Sequence, residues 1–217
     1  MLDLLLQEQS VVIKQRKELI ELLSFESRNK YEILTVHGAQ IGFAAEQQKG
    51  LMGTLLRQIV GHWRSFDINI YGVDRVLKFV ASHPFRIFFQ RLEIRDALGR
   101  EIGHLERELS IFDKAFRLIN SKGKNICEMR SSIFKVWTFP FMRNGVEIAR
   151  ITKKWGGAMT EVFLDSDTFL LEFMDRNLNG EDRVVLLNAA IMIDLLYFEN
   201  NQGVDITDFL SVPGGRS

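Results

Sequence analysis

Val184–Phe198 reads VVLLNAAIMIDLLYF, fifteen residues in which only Asn188 and Asp194 are strongly polar. Wound as a helix, such a stretch reaches about 22 Å, against a bilayer hydrocarbon core of about 30 Å. An aspartate in mid-bilayer costs a few kcal/mol more. A helix on a protein surface would show a polar face along one side, and this segment has none. The sequence therefore predicts a helix buried inside protein, which needs apolar neighbours all round. Asn179-Gly180 makes a turn ahead of it, Asp182 is the expected N-cap, and Glu199–Gly203 ends it.

The rest of the chain supplies a wall. Ser10–Gln15, Lys30–Val36, Ile41–Ala45, Phe66–Tyr71, Val76–Val80, Phe85–Arg95 and Glu101–Arg107 read as strands. So do Ala115–Ile119, Ile126–Met129, Lys135–Phe141, Val146–Lys153, Glu161–Leu164 and Thr168–Phe173. In Phe66–Tyr71 the alternation is clean, with Phe66, Ile68 and Ile70 on one face and Asp67, Asn69 and Tyr71 on the other. Ser121-Lys122-Gly123 and Asn144-Gly145 suit tight hairpins. About a dozen short strands at regular spacing with one buried helix is an all-β barrel or sandwich pattern, and a barrel filled by its own helix accounts for both. One domain over 10–212 is expected, with an amphipathic lead-in at 1–9 and a disordered tail at 213–217.

Composition agrees. The 217 residues include 17 phenylalanines, 3 prolines and 16 glycines, a balance suited to packed strands and turns. Lysine plus arginine equals aspartate plus glutamate at 28 each, which disfavours a nucleic-acid binder. The balance hides a segregation. Residues 161–217 hold eleven acidic and three basic side chains, while Arg57–Arg100 holds eight basic and four acidic ones. A basic face for anionic partners and an acidic segment able to hold a cation is one reading; a mixed surface that happens to segregate along the chain is the other. One cysteine, Cys127, allows no intrachain disulfide, and Asp3 and Glu8 interrupt any leader-like apolar core, so a cytoplasmic, reducing location is expected.

Ser10–Gln47, SVVIKQRKELIELLSFESRNKYEILTVHGAQIGFAAEQ, resembles the N-terminal part of the phospholipid scramblase domain. His83–Arg91 and Ile94–Arg107 are similar to its R-P-F-R and D-x-x-G-x-x-I segments. Ile151–Gly157 (ITKKWGG), Glu161–Phe169 (EVFLDSDTF) and Ile193–Glu199 (IDLLYFE) extend the resemblance to about residue 200, in the same order. It implies a twelve-stranded closed barrel around a central C-terminal helix, the architecture shared with tubby C-terminal domains. It also implies a peripheral or single-span membrane protein that moves phospholipids between leaflets in a calcium-dependent way.

The resemblance carries over a calcium motif in part. Asp165 and Asp167 stand at its two aspartates, with Glu172 and Asp175 as further oxygens, and calcium takes six to eight oxygen ligands. Thr168 replaces the motif's asparagine and Leu170 its glycine. A solvated acidic strand end is the competing reading. Asp175–Gly180 (DRNLNG) imitates the first half of an EF-hand loop, but Leu186 falls where the bidentate glutamate belongs, so a turn before the helix is expected. Asp194 needs a partner on the barrel wall, an arginine or a backbone donor, and with Trp155 it is expected to be structural.

His37, His62, His83 and His104 fall at unrelated spacings, and no nucleophile–base frame is apparent, so no enzymatic role is expected. Two readings of function remain. One is a lipid-handling protein on an anionic phospholipid membrane surface, using Arg57, Arg64, Arg86, Arg91, Lys153 and Lys154 for headgroups and Leu51–Val60 as an amphipathic segment. The other is a soluble ligand- or protein-binding regulatory barrel.

Overall fold

The computed structural model describes residues 1–16, 27–47, 66–84, 91–108, 113–132, 137–154 and 167–198. Its strands are β1 (Ser10–Gln15), β2 (Ser27–Thr35), β3 (Gln40–Gln47), β4 (Phe66–Gly72), β5 (Leu77–His83), β6 (Arg91–Asp96), β7 (Glu101–Glu108), β8 (Asp113–Asn120), β9 (Asn125–Ser132), β10 (Thr138–Arg143), β11 (Val146–Lys154) and β12 (Thr168–Phe173). Each pairs antiparallel with its sequence neighbour, and β1 pairs with β12 to close the barrel. Closure leaves no strand edge to cover. Helix α1 (Leu2–Gln7) precedes the barrel and helix α2 (Gly180–Tyr197) follows it.

Period-two alternation decides which side chains meet α2. On β1, Val11 and Ile13 join the central core, while Val12 joins Leu34 and Leu170 in a small cluster of opposite parity. Ile33, Ile68, Ile70, Ile94, Leu105, Phe141 and Phe169 are likewise buried in the core that contains the helix. Sixteen of the eighteen α2 residues are buried, as a helix without a polar face requires. Where the helix passes β7, glycine is needed: a Cβ on Gly103 would collide with the Ile119 carbonyl and crowd a Val185 methyl.

The two ends of the barrel differ. Five tight hairpins, at 36–39, 73–76, 97–100, 121–124 and 144–145, lie at the end where α2 begins. Asn144 and Gly145 both take positive φ, 51° and 79°, the left-handed pair that a two-residue hairpin of matching twist demands. The other end, where α2 finishes, is left by the connections 16–26, 48–65, 84–90, 109–112, 133–137 and 155–167.

Several expectations are refined. The helix begins four residues before Val184, and its N-cap is Asn179, whose side chain accepts from the Asp182 backbone N–H, in place of Asp182 itself. It ends at Tyr197 with Phe198 as C-cap, ahead of the expected 199–203 stretch. β12 matches its expected span, and β6 begins at Arg91. The expected strand segments 85–90 and 161–164, the amphipathic 51–60 stretch and the 213–217 tail lie outside the described residues. The lead-in carries α1, with Leu5 fully buried.

Candidate functional site at the helix-exit end of the barrel

At the end where α2 finishes, the strands carry polar side chains one inward step beyond the apolar core. Gln15 lies two residues past Ile13, Asn29 two before Tyr31 and Glu46 two past Ala44. These join across three neighbouring strands: Gln15 Nε2 donates to Asn29 Oδ1 at 3.0 Å, and Asn29 Nδ2 donates to Glu46 Oε2 at 2.7 Å. His83, two past Ala81, stacks on Phe66 at 4.8 Å between ring centroids. Arg107, two past Leu105, lies 5.9 Å from the Tyr197 ring centre.

Lys153 faces inward by the same count, two residues past Ile151, and is only 7% exposed. Its Nζ lies 4.0 Å from the Phe198 ring centre, 5.2 Å from that of Phe169 and 3.5 Å from Asp167 Oδ1. Phe198 in turn stacks on Trp137 at 5.7 Å and meets Phe139 and Phe169 edge-on. The end of α2 is thus fastened by aromatic packing around an ammonium whose charge is met by a carboxylate and ring faces. Burial raises the Tyr197 phenol pKa, an effect opposed by Arg107.

The calcium candidates among the described residues, Asp167, Glu172 and Asp175, do not come together. Asp167 precedes β12 and is paired with Lys153; Asp175 lies beyond its far end and is paired with Arg143 at 3.3 Å. Eight residues of extended chain separate them, about 26 Å at 3.3 Å per residue. Glu172 lies on the opposite parity from Asp167. Oxygens sharing one calcium sit within about 5 Å of each other, given ligand distances near 2.4 Å. Among the described residues no group of three His, Cys, Asp or Glu side chains could hold a metal ion. Asp165 lies outside the described residues. The Asp175–Gly180 segment is a turn, with Asp175 Oδ1 accepting from the Asn177 N–H at 2.9 Å.

Of the expected headgroup cations, Arg57, Arg64 and Arg86 lie outside the described residues, as does Trp155. Lys154 closes β11, with its side chain outside the described residues. Arg91 sits on the outer wall among carboxylates, 3.6 Å from Glu93, 3.5 Å from Glu101 and 3.9 Å from Glu106, with His104 Nδ1 at 3.0 Å from its Nη2. Both Arg91 and Lys153 are therefore already engaged by neighbours within the protein.

Asp194 is 1% exposed, and the wall answers it with a phenol: Tyr31 Oη on β2 donates to Asp194 Oδ2 at 2.8 Å. At the opposite end, Arg183 is buried in the first turns of α2. Its Nη1 donates to the carbonyls of Leu5 at 2.7 Å and Glu8 at 2.5 Å, and its guanidinium lies 4.5 Å from the Phe173 ring centre. Burial lowers its pKa. Neither the Tyr31–Asp194 pair nor this clamp has a local sequence signature, because the partners lie 163 and about 178 residues apart. The inward polar side chains could have been found by counting two residues beyond each strand's last apolar inward position.

A closed antiparallel barrel threaded by an apolar helix, its helix-exit end lined by charged and aromatic side chains, defines a helix-filled barrel of the tubby-like class. The scramblase family model matches residues 1–200, and the chain belongs to that family. It is 29% identical over 218 residues to human phospholipid scramblase 2, covering 93% of this chain and 71% of that protein. It is 27% identical over 214 residues to mouse phospholipid scramblase 1, covering 91% of this chain and 63% of the relative. A phospholipid scramblase family protein of Schizosaccharomyces pombe is 22% identical over 235 residues, covering 92% and 62%. No solved structure matches the chain.

Proposed function

We propose that this chain is a scramblase-like protein that binds phospholipid at a membrane surface while keeping α2 inside its barrel. The observation that carries the reading is a scramblase-family barrel whose apolar helix is enclosed on all sides. No helix among the described residues is long and apolar enough to cross a membrane. Withdrawing α2 into a bilayer would expose the barrel lining to water and carry Asp194 and Asn188 into hydrocarbon. In this reading the barrel contacts lipid from outside the bilayer, with α2 kept within its wall. Lipid movement between leaflets would have to proceed without α2 as a membrane span.

Each cation near an anionic surface contributes about 1 kcal/mol; of those expected from the sequence, the side chains of Arg57, Arg64, Arg86 and Lys154 lie outside the described residues. Arg91 and Lys153 would first have to leave their present partners. Calcium at Asp167 would have to displace the Lys153 ammonium, so any calcium dependence acts through a rearranged site. Those engaged cations favour, as a second reading, a regulatory barrel that binds a soluble partner without moving lipid.

Co-sedimentation with neutral and phosphatidylserine-containing vesicles, with and without calcium and at low and high salt, tests the proposal. Salt-sensitive pelleting with anionic vesicles is expected. Absence of pelleting in every condition sinks it and leaves the regulatory reading. Dithionite reduction of fluorescent lipid in reconstituted vesicles then tests translocation.

A further inference from the structure

Among the described residues, eight large apolar side chains at the hairpin end are exposed. Three belong to α1, as Leu2, Leu4 and Leu6. The others stand on or beside the turns: Val73, Val76, Leu98, Val146 and Met174. Leu98 is 82% exposed at the tip of its hairpin. Single exposed apolar side chains are ordinary; several on adjacent turns that also carry cations form a patch.

Three consecutive hairpins, β4–β5, β6–β7 and β8–β9, combine this feature with charge. They are tied side by side, Ala97 N–H donating to the Lys78 carbonyl and Ser121 N–H to the Ile102 carbonyl, both at 3.0 Å. Arg75, Lys122 and Lys124 are exposed on their tips, with no carboxylate within ion-pair distance among the described residues. The acids on the first two tips are spoken for: Asp74 pairs with Lys78 at 2.7 Å and Asp96 with Arg100 at 2.6 Å. The tips are also pre-shaped. Asp96 Oδ1 accepts the N–H groups of Leu98 and Arg100, Asn120 Oδ1 those of Lys122 and Lys124, and Asp74 Oδ1 that of Val76. A turn held this way presents its side chains without losing much freedom on binding.

We propose that this arc of hairpins is the face that docks on an anionic bilayer, with Val73, Val76 and Leu98 entering the headgroup layer and Arg75, Lys122 and Lys124 meeting lipid phosphates. The pattern is that of an interfacial contact, apolar side chains interleaved with cations, carried here on turns. The proposal rests on the membrane reading above and deepens it by fixing which end faces the lipid. The helix-exit end then points away from the surface.

Single-cysteine labelling tests the orientation. The native Cys127 is buried and its thiol is pushed up to about 12 by burial, so it does not compete for label in the folded protein. Leu98→Cys, Val76→Cys and, at the opposite end, Trp137→Cys are labelled with a polarity-sensitive dye. Each is mixed with phosphatidylcholine vesicles containing about a third phosphatidylserine. The labels at 98 and 76 are expected to brighten and to be quenched by acyl-chain nitroxides, with the label at 137 unchanged. Leu98→Asp and Val76→Asp should each weaken vesicle pelleting at least about fivefold, the scale of one apolar side chain kept out of the interface. Response at 137 alone, with pelleting intact, overturns the proposal and leaves membrane binding standing. Brightening at 98 and 76 that follows protein concentration without vesicles overturns it in favour of self-association. Failure of the unmodified chain to pellet removes both this proposal and the reading beneath it.

Discussion

Replacing Arg183 by methionine isolates the clamp between the two helices. The substitution keeps an unbranched apolar stem and removes the two donations from Nη1 to the Leu5 and Glu8 carbonyls. Hydrogen bonds from a charged donor contribute about 1.5–3 kcal/mol each, and stacking over Phe173 adds about 0.5–2 kcal/mol. Against this stands the relief of a guanidinium held nearly out of water, whose cost shows in its lowered pKa. In many buried ion pairs, replacement of both partners by apolar groups is neutral. Here the partners are backbone carbonyls, which no substitution removes, and Leu5 is fully buried. A net loss of about 2–4 kcal/mol is therefore expected. Urea unfolding followed by far-ultraviolet circular dichroism measures it. Hydrogen exchange should also show faster exchange at the Leu5 amide, which donates to the Met1 carbonyl at 2.9 Å. Arg183→Lys keeps the charge without the fork and should fall between the two proteins. Stability within about 0.5 kcal/mol of the parent, with unchanged exchange at Leu5, would refute the reasoning, since it is no more than a neutral surface change produces.

Three further outcomes are expected. Gly103→Ala should destabilise by about 1–3 kcal/mol in the same urea titration, because its methyl meets the Ile119 carbonyl and a Val185 methyl. Cys127 should resist thiol reagents at neutral pH until denaturant unfolds the barrel, and rapid labelling of the native protein would contradict its burial. Burial raises the Asp182 pKa despite Arg143 3.9 Å away. A carboxyl with a raised folded pKa binds its proton more tightly in the native state, so stability falls as pH rises from the unfolded value near 3.9 through the folded one. Asp182→Asn should flatten that part of the stability–pH curve; an unchanged slope would count against the shift.

The sequence revealed the barrel because a helix apolar on every side and strands alternating at period two describe one object from two directions. β12 was legible to the residue, since Thr168–Phe173 is bounded by acidic and turn-forming residues. β2 was read as starting at Lys30 and begins at Ser27: Ser27-Arg28-Asn29 lacks apolar alternation, and Asn29 meets Gln15 and Glu46. The helix start was misjudged because Asp182 looked like a cap. Its backbone N–H is the donor that Asn179 satisfies, three residues earlier. The candidate site was harder. Asp167 and Asp175 look like neighbours along the chain and stand at opposite ends of a strand. Lys153 looks like a surface cation and faces inward over Phe198. Such facts depend on register and parity, which arise only when strands pair.

The position of α2 after all twelve strands also bears on how the protein comes into being. The barrel's filling leaves the ribosome after all twelve strands of its wall. Until then the hairpins can pair with their neighbours, but their inward side chains have nothing to pack against. The β1–β12 seam joins residues such as Ile13 and Phe169, so its closure carries a long loop as well. The decisive step in folding of this chain therefore waits for α2 to emerge. A nascent form halted before Gly180 should be a clear substrate for holdase chaperones.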